Sequence, residues 1–200
     1  MDPAIATWRR EQRTALLAQR QAMPLEERRR ATQIVADKLD ALVATCRPAA
    51  IGLYWPIKHE INLLPWAEAL ARRNNMTLCL PVVVTRNEPL EYWRWTQGEA
   101  LARGIWDIPI PAHRDVVTPD LVLAPLVGFD QANYRLGYGG GYFDRTLASL
   151  ARRPVVIGIG HDFGSLETIF PQPHDIPMDG VVTEQRETLL PDWSNRANRS

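Results

Sequence analysis

Gly137, Gly139, Gly140 and Gly141 stand between two arginines and beside an aspartate in the stretch Arg135-Leu-Gly-Tyr-Gly-Gly-Gly-Tyr-Phe-Asp-Arg145. Backbone free of side chains lets several N–H groups turn toward one anion. An apolar, strand-like run, Leu121-Val-Leu-Ala-Pro-Leu-Val127, precedes the glycines, and a helix-like run from Gly141 to Arg152 follows them. A helix N-terminus directly behind such a loop adds partial positive charge. Arg135 and Arg145 contribute fixed charge, and Asp144 offers a carboxylate that can hold a cation beside a phosphate. A turn needing glycine only for its backbone angles requires none of these flanks. The arginines and the aspartate therefore favour a phosphate site.

The loop matches neither of the best-known glycine fingerprints. A P-loop places Lys-Ser/Thr after its last glycine, whereas Tyr142-Phe143 follow here. The dinucleotide fingerprint is G-x-G-x-x-G after the first strand; here the spacing is G-x-G-G-G and the motif lies late in the chain. From the glycines alone the reading stops at phosphate binding.

Leu126-Val-Gly-Phe-Asp130 together with the glycine stretch resembles the signature of the 5-formyltetrahydrofolate cyclo-ligase family. The Arg-rich segment Arg9 to Arg20, Leu53-Tyr-Trp-Pro followed by Glu60-Ile61, Gly104-Ile-Trp-Asp-Ile-Pro109 and His174-Asp-Ile-Pro-Met-Asp-Gly-Val181 fit the same family in the same order. The resemblance runs from about Arg9 to Val182 and implies an ATP- and magnesium-dependent ligase acting on 5-formyltetrahydrofolate. It implies nucleotide contacts from Arg9, Arg13, Arg135, Leu136, Gly137, Tyr138, Gly139, Gly140, Gly141, Tyr142 and Phe143, with Arg135 and Tyr142 as catalytic groups. It assigns the folate to Glu60, with Trp55, Trp106, Tyr138, Tyr142 and the glycines around it. Asp144 and Asp175 become the magnesium ligands, with Asp179 as the competitor of Asp175. The fold it implies is a Rossmann-like, NagB/CoA-transferase-like α/β domain.

Read without the resemblance, several of these residues are unremarkable. Arg9 and Arg13 are four apart and so lie one above the other on a helix, which by itself suits a solvated charged face. Glu60 alone reads as an exposed carboxylate, although Tyr54 and Trp55 nearby make a flat-ligand pocket conceivable. His59, His113, His161 and His174 lack any zinc spacing; His161 and His174 read as loop residues bordering the site, and none as a catalytic base.

The elements that must carry these groups follow from periodicity. Residues 4–22 read as a helix with Arg9, Arg13 and Arg20 broadly on one face; Pro24 breaks it, and a second helix starts at Glu26-Glu27. Strands are expected at Ala49 to Trp55, Thr77 to Val84, Leu90 to Trp95, Leu121 to Pro125, Val155 to Gly160 and Gly180 to Val182. A helix from Leu63 to Arg73, capped by Asn62, lies between the first two. Gly104 to Pro119 is proline-rich and reads as irregular. Alternating strands and helices argue for a mostly parallel sheet covered on both faces, a single three-layer domain over residues 1–200 with a polar tail after about 191. The segment from Val127 to Gly139 is long for a connection of about 2–6 residues. It is expected to be a loop at the ligand edge, with Phe129, Asp130, Arg135 and Tyr138 at the site rather than in the core.

Composition bounds the alternatives. The 200 residues carry 23 basic and 23 acidic side chains, so no global field favours nucleic acid or membrane. Lys38 and Lys58 are the only lysines, leaving phosphate binding to guanidinium and backbone donors. Cys46 and Cys79 read as reduced, buried thiols. No signal peptide and no bilayer-length apolar run is visible. The expectation is a cytoplasmic monomer acting on a small molecule. Two other readings remain open: a related ATP-dependent protein with a different acceptor, and a non-catalytic nucleotide- or RNA-binding module using the first helix. Neutral charge and Asp144 weigh against RNA.

Overall fold

A computed structural model describes residues 2–191 and 193. The elements in chain order are α1 (Pro3–Ala22), α2 (Leu25–Cys46), β1 (Ala50–Gly52), α3 (Leu64–Asn74), β2 (Thr77–Val82), β3 (Glu91–Arg94), β4 (Leu101–Arg103) and β5 (Pro109–Pro111). There follow β6 (Leu121–Pro125), β7 (Gly128–Asp130), β8 (Arg135–Leu136), α4 (Tyr142–Ser149), β9 (Val155–Ile159), β10 (Ser165–Leu166), β11 (Gly180–Val182) and β12 (Glu187–Leu189). The expected polar tail falls, but for its first residues, outside the described ones.

Local chemistry sets the helix ends. Asp2 caps α1, its side chain accepting the Ala4 N–H at 2.7 Å with Pro3 in the first turn. Asn62 Oδ1 accepts the Leu64 N–H at 3.2 Å ahead of α3, and Asn75 closes that helix in the left-handed conformation. α4 ends at Ser149, a residue short of Leu150, which turns extended.

The seven-stranded sheet has the order β12-β11-β9-β6-β1-β2-β3. Its five central strands run parallel, and only the edges β3 and β12 are antiparallel. Alternate residues serve opposite faces. Ile51, Leu121, Leu123, Val155 and Ile157 join Val35, Leu39, Val43 of α2 and Ala67, Leu70 of α3 in the larger core. Val122, Ala124, Val156 and Val181 face Leu147 of α4 in the second. Helices on both faces of a mostly parallel sheet make the single α/β domain expected from the pattern. Cys46 and Cys79 are free and buried, and burial pushes their thiols up to about 11 and about 12.

Two expectations are corrected. The segment after Val127 is not an open loop: β7 and β8 form a hairpin that β10 joins in a small separate sheet. Phe129 and Asp130 consequently sit in the interior. Phe129 belongs to the second core, and Asp130 closes the turn, its Oδ1 accepting the Ala132 and Tyr134 N–H groups at 3.0 Å and its Oδ2 the Ile169 N–H at 3.1 Å. The proline-rich segment is not wholly irregular either, because β4 and β5 pair across a tip that carries Trp106.

Candidate functional site

α1 is unusual in what it buries: Arg9, Leu16 and Arg20. Leu16 anchors it to Val127, Leu136 and Ile169 on the small sheet, and the arginines point into the edge where β1 and β6 end. Arg9, Arg13 and Arg20 thus form a row along the helix, about 16 Å from end to end at ~1.5 Å per residue.

At one end, Arg9 Nε donates to the Ile169 carbonyl at 2.8 Å and Nη2 to the Phe170 carbonyl at 3.0 Å and to Asp175 Oδ2 at 2.5 Å. In the middle, Arg13 Nε donates to the Gly137 carbonyl at 2.7 Å. Its guanidinium lies against Gly139, where a Cβ would touch Cζ at an ordinary 3.4 Å, but Gly139 has φ +93°. Glycine meets that demand without strain. Burial, then the neighbouring Arg9 charge, lowers the Arg13 pKa against a smaller upward pull from Asp175. Two neighbouring guanidinium groups with one carboxylate, bonded to Arg9, leave a net positive field over the loop.

The glycines lead into α4, whose N-cap Gly141 has φ +64° and provides no side-chain cap. The first-turn N–H groups are therefore open to an anion. Tyr142 starts the helix; its hydroxyl accepts the Asn87 N–H at 3.2 Å, the Arg145 guanidinium lies 4.8 Å from its ring centre, and Trp106 meets it edge-on at 5.5 Å. Trp106 is 60% exposed and holds φ +59°, a strained backbone for a bulky residue. Leu136 and Phe143 turn their side chains into the small and second cores, so only their main chain faces the loop.

Asp144 and Asp175 come from separate segments that a main-chain contact ties together. Asp144 Oδ2 pairs with Arg135 Nη2 at 2.7 Å, and its Oδ1 accepts the N–H of Ile176, the residue after Asp175, at 3.0 Å. Desolvation alone would raise the Asp175 carboxyl, but Arg9 and the Gln172 N–H outweigh it and hold the group below its ordinary range. Asp179 is fully buried and accepts the Val156 N–H at 2.8 Å, within the sheet. Among the described residues no three His, Cys, Asp or Glu side chains gather into a metal cage. Magnesium needs no such cage, since it keeps waters and phosphate oxygens and takes one or two carboxylates. Asp144 and Asp175, hard oxygen donors beside the glycine loop, fit that demand.

At the other end of the row, Ile57 to Glu60 make a tight turn, with Lys58 and His59 both at positive φ (47° and 61°) and Glu60 N–H donating to the Ile57 carbonyl at 3.0 Å. The turn folds Glu60 back into the cleft, where its side chain is only 4% exposed. The Tyr138 hydroxyl donates to Glu60 Oε1 at 2.8 Å, the Ile57 N–H to Oε2 at 2.9 Å, and Arg20 Nη2 stands 3.9 Å from Oε1. Burial raises the Glu60 pKa, and these donors with Lys58 offset it in part. Trp55 is half-buried and packs on the larger core.

The structure therefore brings together Arg9, Arg13, the glycines, Tyr138, Tyr142, Trp106, Asp144, Asp175 and Glu60 along one edge. His174 borders Asp175, its Nε2 3.8 Å from Oδ1, whereas His161 is buried and stacks on Phe163 at 5.3 Å. Arg145, a flanking charge of the glycine loop, faces this edge as expected, and Arg20 and Lys58 join it without having been assigned to the site. Arg20 is seven residues past Arg13 and eleven past Arg9, spacings that return to the same helix face, and that was the available signal.

Comparison with known proteins agrees with this geometry. The 5-formyltetrahydrofolate cyclo-ligase family model matches residues 5–184. The chain is 29% identical over 178 residues to a 5-formyltetrahydrofolate cyclo-ligase of Mycoplasma pneumoniae, covering 86% of this chain and 96% of that one. It is 29% identical over 184 residues to the cyclo-ligase of Mycolicibacterium smegmatis, covering 87% and 92%. The solved structure of Aquifex aeolicus 5,10-methenyltetrahydrofolate synthetase superposes with a TM-score of 0.79 at 32% identity, covering 92% of this chain and 93% of that chain. With its signature segments, its sheet and its glycine-loop edge all in agreement, the chain belongs to the 5-formyltetrahydrofolate cyclo-ligase family.

Proposed function

We propose that this protein converts 5-formyltetrahydrofolate to 5,10-methenyltetrahydrofolate, using MgATP and releasing ADP and phosphate. One observation carries the reading. The glycine loop under Arg13 and a polar pocket built on Glu60 open on the same edge, with Tyr138 in both.

The chemistry follows from the substrate. A formyl oxygen bound to an amide-like carbon is a poor leaving group. Transfer of the γ-phosphoryl group of ATP to that oxygen, with departure of ADP, makes it a good one. The N10 nitrogen then forms a bond to the activated carbon and loses its proton, and the C–O bond breaks with release of phosphate. Holding N10 beside the carbon replaces an encounter by a unimolecular step. The rest is charge neutralisation around the transferring phosphoryl group, for which Arg9, Arg13, the Gly137–Gly141 backbone and the α4 N-terminus are the candidates. Arg135 keeps Asp144 in place from beneath, and the Tyr142 ring, with Trp106 on its edge, shields the reacting centre. Magnesium, held by Asp144 and Asp175, would offset phosphate charge. Glu60 accepts from the pterin donors, and Tyr138 and Trp106 offer the ring flat apolar surface.

The direct test is absorbance of the methenyl product when purified protein meets 5-formyltetrahydrofolate and MgATP. Turnover without this folate but with another acceptor would move the protein elsewhere within the fold. Arg13→Ala isolates the nucleotide part. One lost charge-assisted contact costs about 1.5–3 kcal/mol, so the dissociation constant for the nucleotide rises about ten-fold or more in calorimetry. Unchanged affinity would reduce Arg13 to a tie between α1 and the Gly137 carbonyl. No helix among the described residues is long and apolar enough to cross a membrane. We further take the protein to act in the cytoplasm as a monomer on a free small molecule, without nucleic acid, and light scattering tests the monomer.

A further inference from the structure

Glu60 places a carboxylate where burial disfavours charge, and its neighbours dictate which way the hydrogen bonds run. A guanidinium donates and never accepts. Arg20 Nη2 lies 2.5 Å from the Tyr138 hydroxyl oxygen, so that oxygen accepts from Arg20 and its own proton points elsewhere. It points to Glu60 Oε1 at 2.8 Å. Glu60 Oε2 receives the Ile57 N–H at 2.9 Å, another group that only donates. Both oxygens of Glu60 are thus faced by donors, and the relay Arg20 to Tyr138 to Glu60 runs in one direction. A neutral carboxyl would present a donor where a pterin amino group or ring N–H needs an acceptor.

Arg20 has little freedom to do otherwise. Its side chain is 4% exposed, as is that of Glu60, and Nη1 donates to the Leu126 carbonyl at 3.3 Å. It comes from α1, whereas Tyr138 follows β8 and Glu60 follows β1, so segments after three different elements converge on one hydroxyl. A guanidinium is rarely buried without a charge partner. Here the carboxylate stands 3.9 Å away and is reached through the phenol.

We propose that Arg20 is a positioning residue for the reaction: acting through Tyr138, it keeps Glu60 ionised and oriented as a hydrogen-bond acceptor for the pterin ring. The proposal rests on the folate reading of Glu60 given above. The groups facing Glu60 are Arg20 from α1, Tyr138 after β8, Tyr54 after β1, and Lys58 in its own turn. Burial pushes Glu60 up, and the Ile57 N–H, Tyr138, Arg20 and Lys58 pull it back. Burial and the Glu60 charge keep the Tyr54 phenol protonated, and its hydroxyl donates to the Ile61 carbonyl at 2.6 Å. Without Arg20 the remaining cation is Lys58, which is exposed. The Glu60 pKa then rises further, and the ionised fraction falls as pH is lowered through that raised value.

The test is the pH dependence of KM for 5-formyltetrahydrofolate in Arg20→Met and in Arg20→Gln, the milder variant should the first fail to fold. On the acidic limb KM climbs about ten-fold per pH unit, the slope of a one-proton titration, and this limb lies at higher pH than in the parent protein. KM for ATP and kcat stay within about two-fold at the alkaline end, a span small beside the ten-fold of one kcal-scale contact. Arg20→Lys, which keeps charge and donor, restores the parent profile. A KM raised equally at every pH, or a limb that does not move, overturns the proposal. A second readout is independent of turnover: the Glu60 side-chain carbon, assigned in carbon-13 NMR with Glu60→Gln, titrates at higher pH in the Arg20 variants. If the intact protein leaves 5-formyltetrahydrofolate unchanged while the NMR shift is seen, the folate reading fails and the Arg20 relay stands.

Discussion

Asp144→Asn is expected to lower turnover by about 10²-fold, the scale on which removal of one preorganised charge group slows a reaction. Two separate losses combine. The Arg135 side chain is 5% exposed and pairs with Asp144 at 2.7 Å, so the substitution leaves a buried guanidinium without its counter-charge, a loss of about 3–5 kcal/mol when such a pair is broken. The same carboxylate is one of the two proposed magnesium ligands. Asparagine can still accept the Ile176 N–H through its amide oxygen, so the tie between α4 and the 172–179 segment survives while the charge does not. Magnesium titration separates the two losses. A lowered melting temperature with an unchanged magnesium requirement assigns Asp144 to structure alone. A magnesium half-saturation raised about ten-fold or more, with Asp175→Asn behaving alike, assigns both carboxylates to the metal. Full activity with ordinary magnesium dependence would remove Asp144 from the site.

How far this edge could be read from the chain depends on the physical trace each group leaves. Gly139 and Gly141 hold positive φ at the foot of a helix, a demand that glycine meets without strain, so it leaves a trace in the composition. The parallel strands announce themselves as apolar runs because both their faces are covered. The β7–β8 hairpin does not, since strands of three and two residues are too short to display a period of two. From the sequence, Phe129 and Asp130 therefore read as loop residues at the site, whereas one fills the core and the other ties the turn. Arg9, Arg13 and Glu60 took their meaning from resemblance, because a charged residue on a helix face or in a turn looks the same whether it faces water or a ligand. Arg20 shows the limit most clearly: its burial depends on Tyr138 and Glu60, distant in sequence and joined to it only when β1 and β6 lie side by side.

Glu60→Ala is expected to raise KM for 5-formyltetrahydrofolate on the order of 100-fold while changing KM for ATP by about two-fold at most. Hydrogen bonds to a charged group contribute about 1.5–3 kcal/mol each, and a pterin edge offers more than one donor to a single carboxylate. The Arg13 guanidinium starts about 10 Å from Arg20 along α1, seven residues at ~1.5 Å each, and Tyr138 is the one side chain that touches Glu60 and also lies in the glycine loop, so the proposed phosphate contacts are reached only through it. Alanine also strands the Tyr138 hydroxyl and brings Arg20 into a cavity without a carboxylate, so the variant loses stability as well as affinity. Glu60→Gln separates these effects. Its amide oxygen can still accept the Tyr138 proton at Oε1, and its shape fills the same space, so folding is nearly spared. Its amide nitrogen, however, meets the Ile57 N–H and the pterin donors as a third donor, and KM for the folate stays high. A Gln variant with ordinary folate affinity would mean that Glu60 fills space and steadies the turn, and that recognition of the substrate lies with Trp106, Tyr138 and the glycine loop alone.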